Sequence, residues 1–170
     1  LDRRVAPLAA DAEILRCHPA AFLDRIRAAS PAEGVVPLDP DTWMSPGTLV
    51  AALRAVGGVC AAVDAVVAGE VANALVAMRP PGHHAEAAVA MGFCLFGNVA
   101  VAARVAIDEF ALDRVLIVDW DVHHGNGTQD MFYNDSRVGF FSSHRWPFYP
   151  GSGSADETGA GDGLGATLNL

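Results

Sequence analysis

Lysine is absent from this chain of 170 residues, so all 11 of its basic side chains are arginine, set against 20 acids for a net charge of −9. With no basic run to neutralise a phosphate backbone, direct binding to nucleic acid is not expected. Cysteine is scarce: Cys17, Cys60 and Cys94 are odd in number and form no C-x-x-C. They fit reduced, buried thiols of a cytoplasmic protein better than a disulfide framework. Long apolar runs are missing too, although 52% of the residues are hydrophobic. No window of about 20 residues is free of charge, and Asp64 interrupts the run from Val59 to Val67, so no membrane partner and no signal peptide are expected. No internal repeat is present. The chain also lacks an initiator Met and closes on an alternating apolar run, as one piece of a longer domain would. Its acids would mildly favour a cationic substrate, although keeping the protein soluble is their plainer role. The sequence leaves the oligomeric state open.

What is present reads as alternating helices and short strands. Asp11 to Cys17 has helical spacing with Ile14 and Leu15 inward, and it stops at His18-Pro19. A second helix buries Phe22, Leu23 and Ile26 and ends at Ser30-Pro31, leaving His18 as a turn or core histidine. Glu33 to Pro46 is a proline-containing loop, and Ser45-Pro46 is expected to cap a long helix running to about Ala68 and closed by Gly69. Inside it, Gly57-Gly58 suggests close approach by another element. Ala72 to Met78 is expected to be a buried strand, 95–110 a helix, 128–133 a short helix, and 137–142 and 167–170 further strands. This order predicts βαβ units around a parallel sheet, with chemistry at the carboxyl ends of the strands. Three such ends carry polar clusters: His83-His84, Asp119 to Asn126, and Ser142 to Arg145.

The chain is organised around Arg114 to Gln129. Val115 to Val118 is short, apolar and β-branched, the pattern of a parallel strand buried on both faces. Asp119, Asp121 and His123 then share one side of the extended backbone, with Trp120, Val122 and His124 on the other. Asp121 and His123 supply a carboxylate and an imidazole, two of the three ligands a catalytic divalent metal needs. Asp156, Glu157 and Asp162, in the Gly/Ser/Asp-rich loop from Pro150 to Gly165, are candidates for the third, though their spacing does not recommend them. That loop lacks the G-K-[ST] of a phosphate-binding loop. The stiff Pro-Gly before His83-His84 sets two imidazoles side by side, where Asp119 is a natural partner for one and Asn126 could orient the other.

Four co-linear motifs carry a resemblance: R-P-P-G-H-H-A at 79–85, G-F-C-L-F-G-N at 92–98, V-D-W-D-V-H-H-G-N-G-T-Q at 118–129 and S-H-R-W-P-F-Y-P-G-S-G at 143–153. In order and wording they resemble the zinc-dependent histone deacetylase superfamily, which includes acetylpolyamine amidohydrolases and acetoin-utilisation proteins. With Asn126, the third motif is closer to the class II branch and its bacterial relatives. The resemblance implies a three-layer arginase/deacetylase-like α/β fold with a mostly parallel central sheet, of which residues 1–170 are a single partial domain. It implies Zn2+ held by Asp121 and His123, His84 as general base and acid, His83 assisting electrostatically, Asp119 paired with His83, and Asn126 beside His84 where some members have aspartate. Phe93 and Tyr149 match the aromatic walls of the acyl-lysine tunnel, and Gly92 the residue whose carbonyl faces the acyl group. The backbone oxygens of Asp119, Asp121 and His123, with Ser142 and Ser143, match a structural monovalent cation site for K+. The family's remaining zinc ligand and its carbonyl-polarising Tyr or His come from later strands, beyond Leu170.

The implied activity is hydrolysis of acetyl-lysine or of acetylated amines and polyamines. Two other readings compete. A manganese ureohydrolase of the same fold would need a metal-binding aspartate where Gly125 stands. A truncated, non-catalytic remnant would keep part of the fold as an interaction module, with an exposed sheet edge prone to association.

Overall fold

A computed structural model describes residues 2–170. α1 (Asp11–Ile14) is a single turn whose start is tied by the Glu13 carboxylate accepting the Ala10 N–H at 2.6 Å. Ile14 is buried, but Leu15 lies beyond this turn and faces solvent, contrary to its expected inward position. α2 (Ala20–Ala28) follows Pro19 directly and buries Phe22, Leu23 and Ile26 as its spacing requires. Within the expected loop, β1 (Val36–Pro37) and β2 (Trp43–Met44) form a small antiparallel pair. The turn between them is closed by Asp39, whose Oδ1 accepts the N–H groups of Asp41 and Thr42 at 3.0 and 2.7 Å.

α3 (Thr48–Val67) begins later than Ser45-Pro46 suggested, with Gly47 in the left-handed region at its N-cap and Thr48 Oγ1 accepting the Ser45 N–H. Gly69, at φ +72°, ends it as expected. Gly57 is where the N-terminal segment crosses: an added Cβ would sit 2.4 Å from the Pro7 carbonyl oxygen. α3 has the length and hydropathy to cross a bilayer, yet its inner side packs on α4 (Asn98–Asp108), and Arg54 donates to the Ala6 carbonyl.

The expected strand at Ala72–Met78 is not formed. The segment is irregular and Leu75 is 93% exposed. A buried parallel strand exists only when a neighbour satisfies its N–H and C=O groups, and among the described residues none pairs with it.

The sheet proper is β3 (Val115–Asp119), β4 (Val138–Ser142) and β5 (Thr167–Asn169), all parallel, with Asp119 opposite Ser142 and Ser142 opposite Asn169. α5 (Asn126–Phe132) links β3 to β4. Ile117, Phe132, Val138 and Phe140 join Ala100, Ala103 and Ile107 of α4 in one core, while Ile14, Phe22, Leu23, Val56, Phe96 and Val101 build a second. β3 is thus buried on one face only. Leu116 and Val118 are 68% and 45% exposed because this chain places helices on one side of the sheet and leaves β3 as an edge strand, which corrects the expectation of burial on both faces.

Candidate active site

β3 ends where the backbone stops laddering with β4, so Asp119 sits at its carboxyl end on the covered face, below the loop after Gly82. Asp119 Oδ2 lies 2.8 Å from His83 Nδ1, and its Oδ1 accepts the Asp121 N–H at 3.1 Å. Burial by itself would raise the Asp119 pKa, but the His83 hydrogen bond and charge and the Asp121 N–H outweigh it and hold the carboxyl below its usual range. Gly125 is required here, since a Cβ at that position would stand 2.4 Å from Asp119 Oδ2.

His84 lies beside His83 at a ring separation of 4.0 Å, the rings tilted by 45°, and is nearly completely buried. Its Nδ1 lies 2.9 Å from Asn126 Oδ1, while Asn126 Nδ2 donates to Glu86 Oε1 at 2.9 Å. Burial, then the neighbouring His83, push the His84 pKa down against the Asn126 hydrogen bond, which keeps the ring neutral near pH 7. The start of α5 is anchored to the same loop, as Gly127 N–H donates to the His83 carbonyl at 2.9 Å.

Asp121 and His123 sit at the open side of these imidazoles, with side chains 49% and 43% exposed. Asp121 Oδ1 and His123 Nδ1 are 3.2 Å apart. Two donors of one tetrahedral zinc-class ion, each at about 2.0–2.1 Å, lie roughly 3.3 Å apart, so the pair fits two corners of such a site. Among the described residues no third His, Cys, Asp or Glu joins them. Asp156 and Glu157 lie elsewhere in the Pro150–Gly165 loop, Asp156 accepting from Ser154 and Glu157 from Gln129, Gly153 and Ser154. Asp162 lines a separate polar cleft with Arg104 and Arg137.

Tyr149 forms a wall over His84 and His123, with ring separations of 5.1 and 6.0 Å. Its hydroxyl is pushed up to about 12 by burial and by the nearby carboxylates Asp41 and Asp39. Phe93 stands at the rim, 63% exposed and at φ +66°. Its N–H donates to Thr42 Oγ1 and that of Gly92 to Asp41 Oδ1, so the β1–β2 turn holds the Gly92-Phe93 corner. The Gly92 carbonyl accepts the Cys94 thiol at 3.3 Å. Ser142 is buried with its hydroxyl on His144 Nδ1, and Ser143 N–H donates to the Asp119 carbonyl, which puts both serines beside the β3 terminus.

The His83-His84 loop, which follows an irregular segment and not a strand, therefore meets the Asp119 to Asn126 stretch, and Ser142 joins them through the β3–β4 register. Arg145 turns away and stacks on Phe148. His124 faces the interior, 1% exposed, with Nδ1 on Ser152 and Nε2 on Gln129. His18 is a core residue, bonded to the Ala87 carbonyl and the Gly97 N–H. Sequence reasoning missed Glu86, Asp41 and Thr42. Glu86 carried a signal, since it follows His84 by two positions. Asp41 and Thr42 carried none, lying some fifty residues from the corner they hold.

A profile described as the histone deacetylase domain matches residues 2–170. A histone deacetylase-like amidohydrolase of Pseudomonas aeruginosa is 44% identical over the whole chain, which spans 45% of that protein. A probable deacetylase of Archaeoglobus fulgidus is 40% identical over 93% of the chain and 43% of its own length. Rat polyamine deacetylase HDAC10 is 49% identical over 75% of the chain and 23% of its own length. The crystal structure of the HDA15 HD domain superposes with a TM-score of 0.93 at 39% identity, covering 97% of this chain and 48% of the other. The chain thus spans about half the length, or less, of the relatives it matches. With its sheet, its paired histidines and its Asp-x-His strand end, it belongs to the histone deacetylase domain family.

Proposed function

We propose that the protein containing this chain is a zinc-dependent hydrolase removing acetyl groups from a primary amine, an acetyl-lysine side chain or an acetylated polyamine. The observation that carries the reading is the meeting of two differently partnered imidazoles, His83 on Asp119 and His84 on Asn126, with the Asp121–His123 donor pair. Relatives named as deacetylases and an amidohydrolase support the reaction class. The net charge of −9 and a relative named as a polyamine deacetylase suit a cationic substrate.

Asp121 and His123 would hold zinc, which when bound polarises an acyl oxygen and makes its water more acidic. His84 donates Nδ1–H to Asn126 and so offers Nε2 as a lone pair, able to take a proton from water and return it to the departing amine. His83, held by Asp119, lies against His84 and would assist the reaction electrostatically. Tyr149 and Phe93 would line the acyl channel, with the Gly92 backbone at its base. Ser142, Ser143 and the carbonyls of Asp119, Asp121 and His123 would bind K+ and tie β3 to β4.

The test is an acetyl-lysine peptide and acetylpolyamine assay on the full-length protein, with metal analysis. His84→Ala is expected to abolish amide hydrolysis while zinc stays bound; full activity in that variant would sink the assignment.

A further inference from the structure

We infer that Glu86 sets the tautomer of His84, acting through Asn126 as a positioning residue for proton transfer. The inference rests on the reading of His84 as the general base.

An asparagine amide is a poor orienting group when alone, because its oxygen and nitrogen ends have the same shape and it can flip. With Oδ1 toward His84, the imidazole must carry its proton on Nδ1 and expose a basic Nε2. With Nδ2 toward His84, the proton moves to Nε2 and the base is lost. Glu86 removes the ambiguity. Its carboxylate only accepts, so the amide must turn its NH2 that way, and Oδ1 falls on His84 Nδ1. The distances are 2.9 Å for Asn126 Nδ2 to Glu86 Oε1 and 2.9 Å for His84 Nδ1 to Asn126 Oδ1. Met91 Sδ, 3.5 Å from Asn126 Nδ2, takes the second amide hydrogen, so both point away from His84. Glu86 is itself placed by backbone, its N–H donating to the Val89 carbonyl at 3.0 Å across an isolated antiparallel bridge. Among the described residues it has no Arg or His partner to compete for the carboxylate. A carboxylate directly at position 126 would achieve the same tautomer without help. Asn126 plus Glu86 achieves it with the negative charge one residue further from the imidazole.

The experiment is made on the full-length, zinc-loaded protein with 15N-labelled histidine, reading the His84 tautomer by long-range proton–nitrogen correlation beside kcat and KM. Wild type is expected to show a single Nδ1–H form. Glu86→Ala should mix in the Nε2–H form and lower kcat by about tenfold with KM within about twofold, and Glu86→Gln, still offering an oxygen to Asn126, should recover most of the loss. In an Asn126→Asp background, where the acceptor cannot flip, Glu86→Ala should have no cost; this comparison also serves if the single alanine variant does not fold. A pure Nδ1–H form with wild-type kcat in Glu86→Ala, or an equal penalty in the Asn126→Asp background, overturns the inference. A wild-type protein that hydrolyses no acetylated amine overturns the functional reading instead, and leaves the tautomer measurement to decide this one.

Discussion

His83 and His84 are neighbours in sequence and nearly in van der Waals contact, yet a carboxylate holds one and an amide the other. The consequence is two differently partnered rings side by side, and burial favours the neutral form of the one that faces Asn126. Gly92 is the residue on which this geometry rests. At φ +57°, an added Cβ would lie 2.3 Å from His84 Cδ2, so Gly92→Ala must displace the ring or the corner. Displacing a proton-transfer group by about an ångström costs on the order of a hundredfold in rate, and that fall in kcat, with zinc content unchanged, is the expected result. A wild-type kcat would show that the corner yields without moving His84. Most of this residue-scale picture was legible from motif order, including the Asp119–His83 and Asn126–His84 pairings. Glu86, Asp41 and Thr42 were not, since their roles depend on a two-residue turn and on a hairpin far away in sequence.

Among elements, the junction of α4, α5 and β4 depends on one carboxylate. Asp135, just past α5, accepts from Arg104 of α4 at 2.6 Å and from the Arg137 side chain at 2.7 and 2.9 Å, and Arg104 also lies over the Phe132 ring. The Arg137 hydrogen bonds first, with Arg104 added, outweigh burial and hold the Asp135 carboxyl well below the usual carboxylate range. A depressed folded-state pKa contributes stability that is present above the ordinary carboxylate pKa and lost as pH falls toward the folded value. Asp135→Asn is therefore expected to cost about 1–2 kcal/mol at pH 7, discounted because Arg137 is half-exposed, with the difference from wild type shrinking in strongly acid solution. Urea unfolding at both pH values measures it, and a pH-independent difference would contradict the charged origin. Helices α2 to α5 and strands β3 to β5 followed from periodicity, whereas Ala72–Met78 did not become a strand. Its run is apolar, but a strand is a property of a pair, and among the described residues no strand lies beside it.

The whole chain presents an uncovered sheet face and a corner where Asp121 and His123 set two donor atoms side by side. Leu116 and Val118 on β3, Trp120 at 82% exposure just beyond it, and Leu168 on β5 all face outward, and β3 keeps an open edge. Taken alone, these 170 residues are expected to self-associate through that face and to bind zinc weakly, since two protein ligands hold a metal poorly. Light scattering and calorimetry check this. A monomer with tight stoichiometric zinc would contradict it. A longer protein of the length of the relatives is expected to bind zinc stoichiometrically and to be active.

By itself the sequence determined the family, the parallel α/β class, and which polar side chains to look for around the end of β3, because those depend on residue type, local period and motif order. Only the tertiary structure decided that β3 is covered on one face, that Leu15 points outward, that Asp41 and Thr42 hold the Gly92 corner, and that Glu86 reaches Asn126. Each of these depends on which backbone groups meet across tens of residues, and hydrogen-bond direction and burial are settled only at that meeting.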